Sequence, residues 1–299
     1  MKDLYQEVTD RIISELESGI IPWEKPWTGV NSGAVSHVTG KPYSLLNQIL
    51  LNKPGEYITF DQCRKQGGKV KKGAKSKFVV FWKVLFIERK DKFGNLVKDN
   101  EGNTVEDPVP VLRYFNVFHI DDCEGIKPKF DKPLPSTHAE PLEAAEAALK
   151  GYVTRSNVRL INRKQDRAFY DLMSDQIVLP LMEQFTDSAE YYSTAFHEAT
   201  HSTGHKSRLN RFSENLADNI FGSESYSKEE LVAEIGAACI LNTLGIETKS
   251  TFRNSAGYIQ NWLRALRNDK RLIVSAASRA EKAVKMILNT EIAEQKQAA

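Results

Sequence analysis

The chain has 299 residues, 41% hydrophobic, with 41 Lys and Arg against 39 Asp and Glu for a formal charge of +2. That composition is globular and long enough for two cores; no stretch reads as a transmembrane run or signal peptide, and a cytoplasmic protein is expected. The three cysteines, Cys63, Cys123 and Cys239, are far apart and odd in number, which excludes a disulfide framework and a cysteine zinc site.

Leu4, Val8, Ile12 and Leu16 recur at helical spacing and predict an opening helix ended by Gly19 and Pro22. Pro22-Trp23, Pro26-Trp27 and a loop to Tyr43 follow, then an apolar stretch at Leu45–Leu51. Tyr57–Phe60 reads as a short strand and Asp61–Gln66 as a helical turn. Phe78–Ile87 and Val111–Ile120 predict two long strands, with turns at Phe93–Asn95 and Asn100–Asn103 between them. No internal repeat and no low-complexity tract is expected. Pro128, Pro133 and Pro135 place a seam at Glu124–Pro135. Beyond it, Pro141–Val153 predicts a helix and Val158–Ile161, Ala168–Tyr170 and Gln176–Leu179 short strands. Asp187–Gly204, Ser227–Leu244, Ala256–Asn268 and Lys270–Leu288 predict four more helices. The fold class is α+β: an α+β module over residues 1–127, then a mainly helical domain with a small sheet over residues 136–290.

The helix predicted at Asp187–Gly204 carries His197-Glu198-Ala199-Thr200-His201, an H-E-x-x-H pattern. At i and i+4 both imidazoles leave one helix face and can close on one metal ion, with Glu198 beside it to take a proton from water. A catalytic site of this kind needs a third protein ligand. Gly204 stands where the metzincin pattern has its glycine, but Ser207 stands where its last histidine would be, so that pattern fails. His205 lies one turn beyond His201 and reads as a neighbour of the site or an exposed residue. Glu230 and Glu234, again i and i+4 on a later helix, supply the alternative: one ligates and the other supports a histidine, in either order, with Glu230 favoured as ligand. Tyr191, Tyr192 and Tyr258 are candidate oxyanion donors. The cofactor expected is Zn2+, with Mn2+ as alternative, and the chemistry is hydrolysis of a peptide bond.

Residues Asp61–Lys92 hold eleven Lys and Arg against three acids. Lys69, Lys72 and Lys75 precede a strand carrying Trp82, and Trp23, Trp27 and Tyr43 lie upstream. Cations that neutralise phosphates beside rings that stack on bases compose a surface for single-stranded DNA.

Several longer motifs stand beside these: Asp3-Leu-Tyr-Gln-Glu-Val-Thr-Asp10, Thr39-Gly-Lys-Pro-Tyr43, the run Phe60–Val70, the run Phe196–Arg211, the run Glu229–Ala238 and Tyr258-Ile-Gln-Asn-Trp-Leu263. Over nearly its whole length the sequence resembles the ArdC-type antirestriction proteins of plasmids and other mobile elements. The resemblance implies a single-stranded-DNA-binding N-terminal domain joined to a zincin-like metallopeptidase domain, and a protein that helps incoming DNA escape host restriction. DNA binding is expected to bring the peptidase to a protein substrate on or near DNA. The rival expectation is a non-catalytic DNA shield with a structural zinc.

Overall fold

The computed structural model describes residues 3–24, 33–130, 141–212, 224–246 and 256–290. The first helix, α1 (Leu4–Glu17), starts where the Asp3 carboxylate accepts the N–H groups of Tyr5 and Gln6, and it buries Val8, Thr9, Ile12 and Leu16. A single 3-10 turn at Pro22–Glu24 follows. The N-terminal half continues through β1 (Ala34–Ser36), α2 (Leu45–Leu51), β2 (Gly55–Thr59), α3 (Phe60–Lys65), β3 (Lys69–Val70), β4 (Lys77–Glu88), β5 (Glu106–His119) and β6 (Cys123–Glu124). A capping box between Thr59 and Gln62 turns the chain from β2 straight into α3. The main sheet has the order β1-β2-β5-β4, with β1 parallel to β2 and the other pairs antiparallel. Strand β1 lies inside the stretch read as a loop; it is three residues long, too short to carry a period.

Strand β5 begins at Glu106 rather than Val111 and runs through Pro108 and Pro110. The prolines are accommodated because β2 pairs β5 only at Val117–His119. Beyond that point no strand among the described residues pairs with the outer edge of β5, and two prolines two residues apart can turn their missing N–H toward it.

The hairpin tip corrects the expectation of no repeat. Asp91-Lys-Phe-Gly-Asn-Leu-Val-Lys98 and Asp99-Asn-Glu-Gly-Asn-Thr-Val-Glu106 are two copies of one unit. In the first the Asp91 carboxylate accepts the N–H groups of Phe93 and Asn95; in the second Asp99 accepts those of Glu101 and Asn103. Gly94 and Gly102 both take φ +88, where a side chain would be strained. The units stack, since Val97 donates to the Arg89 carbonyl and Val105 to the Val97 carbonyl, each at 2.9 Å. Each turn reads correctly by itself; the eight-residue spacing that relates them is the signal that single-turn reading passes over.

The C-terminal half comprises α4 (Pro141–Ser156), β7 (Arg159–Asn162), β8 (Phe169–Asp171), β9 (Gln176–Leu179), α5 (Ser188–Ser202), α6 (Glu224–Thr243), α7 (Ala256–Asn268) and α8 (Leu272–Leu288). Its sheet is ordered β7-β9-β8, with β7 parallel and β8 antiparallel to β9. The halves share their largest apolar cluster, which takes Val8, Ile12 and Leu50 from one and Phe196, Ile240 and Ile273 from the other. Polar ties cross the same seam: Thr9 donates to the Lys270 carbonyl at 2.8 Å and the Leu45 N–H to Glu281 at 2.9 Å. No helix among the described residues is long and apolar enough to cross a membrane.

Candidate metal centre

Helix α5 starts at Asp187, whose carboxylate accepts the Glu190 N–H at 2.8 Å. It lies against α6 with very little between them. A Cβ built on Gly236 would come within 2.7 Å of the Thr200 methyl, so a glycine is what lets the two helices approach this closely. That approach sets the glutamates of α6 over the histidines of α5.

The two Nε2 atoms of His197 and His201 face each other at 3.1 Å. The Glu230 carboxylate closes the triangle, with one oxygen 3.3 Å from His201 Nε2 and the other 3.5 Å from His197 Nε2. His197, His201 and Glu230 thus form a set that could hold a metal ion. Donors bound at 2.0–2.2 Å in a tetrahedron stand about 3.3–3.5 Å apart, so the three groups fit a small divalent cation without rearrangement. Glu234 lies on the other side of the ring, 3.4 Å from His197 Nδ1.

His201 has an equivalent neighbour that the sequence reading missed. Glu229 stands 3.6 Å from His201 Nδ1 and is held by Arg211, whose Nε and Nη2 donate to its two oxygens at 3.1 and 2.5 Å. Arg211 also donates to the Thr203 hydroxyl and the Thr200 carbonyl, so it ties α6 to the end of α5. The available signal was position: Glu229 precedes Glu230 by one residue, about 100° round the helix, and so faces the other histidine.

The centre is strongly anionic. Glu198, Glu229, Glu230 and Glu234 surround two imidazoles, with Arg211 as the guanidinium among them. Burial works against a charge on His201, yet Glu229, Glu230 and Glu198 outweigh it and push its pKa up to about 10. Burial likewise opposes the Glu230 charge, but His197 and His201 hold that carboxyl well below the usual range. A buried site that draws protons onto its histidine is one whose charge a cation would balance.

The loop after α5 fixes the helix end. A Cβ on Gly204 would meet the Phe212 ring at 2.7 Å, so the glycine serves packing here. Arg208 donates to the Ser202 carbonyl at 2.7 Å, to the Ser156 carbonyl at 3.2 Å and to Asp175, which ties α5 to α4 and the small sheet. His205 stays outside the donor set: its Nδ1 accepts the Ser207 N–H at 3.2 Å and lies 3.8 Å from Asp175. Tyr192 is corrected as an oxyanion donor, because its O–H is engaged by a carboxylate. The Tyr191 hydroxyl accepts from Asn162 and the Tyr192 hydroxyl donates to Glu146, and both rings are buried. The side chain of Tyr258 lies outside the described residues.

Of the rings expected on a DNA surface, Trp23 is a correction. It is 1% exposed and packs edge-on to Trp262 at 5.3 Å, with no face for a base. A Pro-Trp pair does not reveal from sequence whether another element covers the ring. Trp27 lies outside the described residues. Tyr43 is half-buried with its ring edge-on to Tyr57, and burial pushes its hydroxyl up to about 12. Trp82 is 51% exposed on β4, and Lys69, Lys72 and Lys75 are exposed around β3 and the turn after it.

Comparison with known proteins agrees with this geometry. The family profile of the N-terminal domain of anti-restriction factor ArdC matches residues 2–118, and that of a zincin-like metallopeptidase matches residues 147–279. Two Escherichia coli proteins named DNA primase TraC are 36% and 34% identical to 94% and 97% of the chain, which spans 19% and 27% of their length. The y4eC protein of Sinorhizobium fredii is 30% identical over 93% of the chain and 89% of its own length. The crystal structure of the antirestriction protein ArdC from plasmid R388 with Mn(II) bound superposes with a TM-score of 0.72 at 35% identity, covering 96% of this chain and 98% of that one. Its metal-free structure gives 0.69 at 34% identity, covering 96% and 97%.

Proposed function

The chain belongs to the ArdC-type antirestriction proteins, and from that membership we propose that it is a metal-dependent peptidase that binds single-stranded DNA and acts on proteins near it. The observation that carries the peptidase reading is the convergence of His197 Nε2, His201 Nε2 and Glu230, with the buried Glu198 next to His197 in the chain. Those three residues would hold the ion. Zinc suits two imidazoles and a carboxylate best, and manganese, the ion in the R388 structure, is the alternative. A bound divalent ion supplies Lewis acidity to the scissile carbonyl and acidity to the attacking water. Glu198 accepts the proton of that water and returns it to the leaving amine. The carboxylates of Glu234 and Glu229 stand 3.4 and 3.6 Å from the Nδ1 atoms of His197 and His201, and their charges there favour the orientation that leaves each Nε2 toward the ion. Glu234 therefore acts as the supporting acid rather than as the ligand.

The DNA reading rests on the exposed Lys69, Lys72 and Lys75 and on the exposed Trp82. Antirestriction would follow if the peptidase is brought to proteins that bind incoming DNA.

Metal content per chain, by mass spectrometry after reconstitution with zinc or manganese, tests the centre. About one ion is expected in the wild type, none in His197→Ala or Glu230→Ala, and a 10–100-fold weaker site in Glu234→Ala. Wild-type protein that takes up neither ion sinks the peptidase reading. Glu198→Gln should keep the ion and lose about 10²–10⁴-fold in hydrolysis of an unstructured protein. A Glu198→Gln protein that still blocks restriction fully would favour a DNA shield with a structural ion.

A further inference from the structure

The aromatic surface of the N-terminal half runs onto the peptidase half. On β4, Trp82, Val84 and Phe86 share one face and are exposed. The Trp82 ring lies 6.4 Å from that of Tyr5 on α1, and the Arg271 guanidinium lies 5.2 Å above the Tyr5 ring. Arg271 also lines a cavity of about 270 Å³ together with Lys228, Asp269, Ser275 and Arg279. Arg271, Ser275 and Arg279 follow one another at intervals of four and form one stripe along the start of α8, while Lys228 reaches in from α6. The carboxylate in the lining, Asp269, is engaged: it accepts the Arg271 N–H at 2.9 Å and stands 3.2 Å from the Lys228 ammonium. Beside the Lys228–Asp269 pair the cavity therefore presents two guanidinium groups, those of Arg271 and Arg279.

We propose that this cavity is a phosphate subsite for single-stranded nucleic acid on the peptidase half, with Tyr5 and Trp82 carrying the bases that lead to it. A strand held this way bridges both halves and passes Lys228, the residue before Glu229 and Glu230. Rings followed by a cationic cavity suit a nucleotide polymer, whose bases stack and whose phosphates are spaced along it, better than a free anion. The subsite rests on the DNA-binding reading above.

The test is fluorescence anisotropy of a labelled oligo-dT of about 20 nucleotides on the full chain, across a salt series. Arg271→Glu with Arg279→Glu should weaken binding about tenfold or more and reduce the salt slope by about 1.4, two phosphate contacts at about 0.7 each. An equal charge reversal elsewhere, Lys164→Glu with Arg167→Glu on the loop between β7 and β8, should change neither, and Arg271→Lys with Arg279→Lys should recover most of the affinity. Unchanged unfolding in urea shows that the variants remain folded. If the double glutamate variant binds like the wild type, or both reversals weaken binding equally, the subsite is overturned while DNA binding stands. If the wild type itself does not bind, the DNA reading falls and the subsite falls with it.

Discussion

The metal centre and the β4–β5 hairpin break the same rule in opposite directions. At the centre, His197, Glu198, Glu229 and Glu234 are buried among apolar helices. On the hairpin, Trp82, Val84, Phe86 and Phe93 stand in solvent. Each departure is tolerated by a different kind of hydrogen bond. The centre depends on side-chain partners set in two rigid helices, so that each charge meets another. The hairpin depends on its backbone ladder, paired from Lys77 opposite Val117 to Glu88 opposite Glu106, and on the stacked turns at its tip. One region is therefore brittle toward loss of a single side chain, and the other is not.

The largest expected effect follows from that brittleness. Arg211→Ala leaves Glu229 buried without its guanidinium partner, and removing one member of a buried pair costs about 3–5 kcal/mol. Urea unfolding should show a drop of this size. Metal affinity should fall about 10–100-fold as well, because Glu229 would no longer be held beside His201. A stability change under about 1 kcal/mol would mean that the centre is less dependent on side-chain partners than the comparison holds.

A buried carboxylate away from the centre tests whether the contrast belongs to the metal or to burial itself. Glu56, in the N-terminal half, accepts the N–H groups of Lys129 and Phe130 at 2.8 and 2.9 Å and lies 2.6 Å from His37 Nδ1. Burial raises its pKa, but those N–H groups and His37 outweigh it, so the folded value lies below the ordinary 4.5. A depressed carboxyl contributes stability above its unfolded pKa and loses it as the pH falls through the folded one. Glu56→Gln should therefore cost about 1–3 kcal/mol at pH 7 and flatten the loss of stability below about pH 4.5. Parallel acid profiles for the two proteins would remove Glu56 from this account.

What the sequence made legible follows the range of the interactions. The histidine pair and the Glu230–Glu234 pair are visible because both repeat at i and i+4, within one turn of their own helix. The long strands and most helices are visible for the same reason of local period. Arg211 is not, because it returns from a loop to reach α6, and its partner Glu229 is one of two adjacent glutamates. The burial of Trp23 is not, because the ring that covers it belongs to Trp262, near the other end of the chain. The repeated tip lies between these cases: all its bonds are local, but its period of eight belongs to neither helix nor strand.

The smallest effect is the sharpest test of the hairpin. Phe86 pairs with Pro108 across the ladder and is 65% exposed, with little beneath it to lose. Phe86→Ser should change stability by less than about 0.5 kcal/mol, the ordinary range for surface positions. Trp23→Ala, a ring of similar chemistry set in the shared core, should cost about 3–5 kcal/mol in the same urea titration. The difference is instructive because hydropathy alone ranks both positions as apolar. If Phe86→Ser proves as costly as a core change, something covers that face in solution, and the hairpin ceases to be a surface held out by its backbone. If it is neutral, the exposed rings are not maintained by folding, and a contiguous apolar surface of this kind fits a binding role such as the strand path through Trp82 and Tyr5.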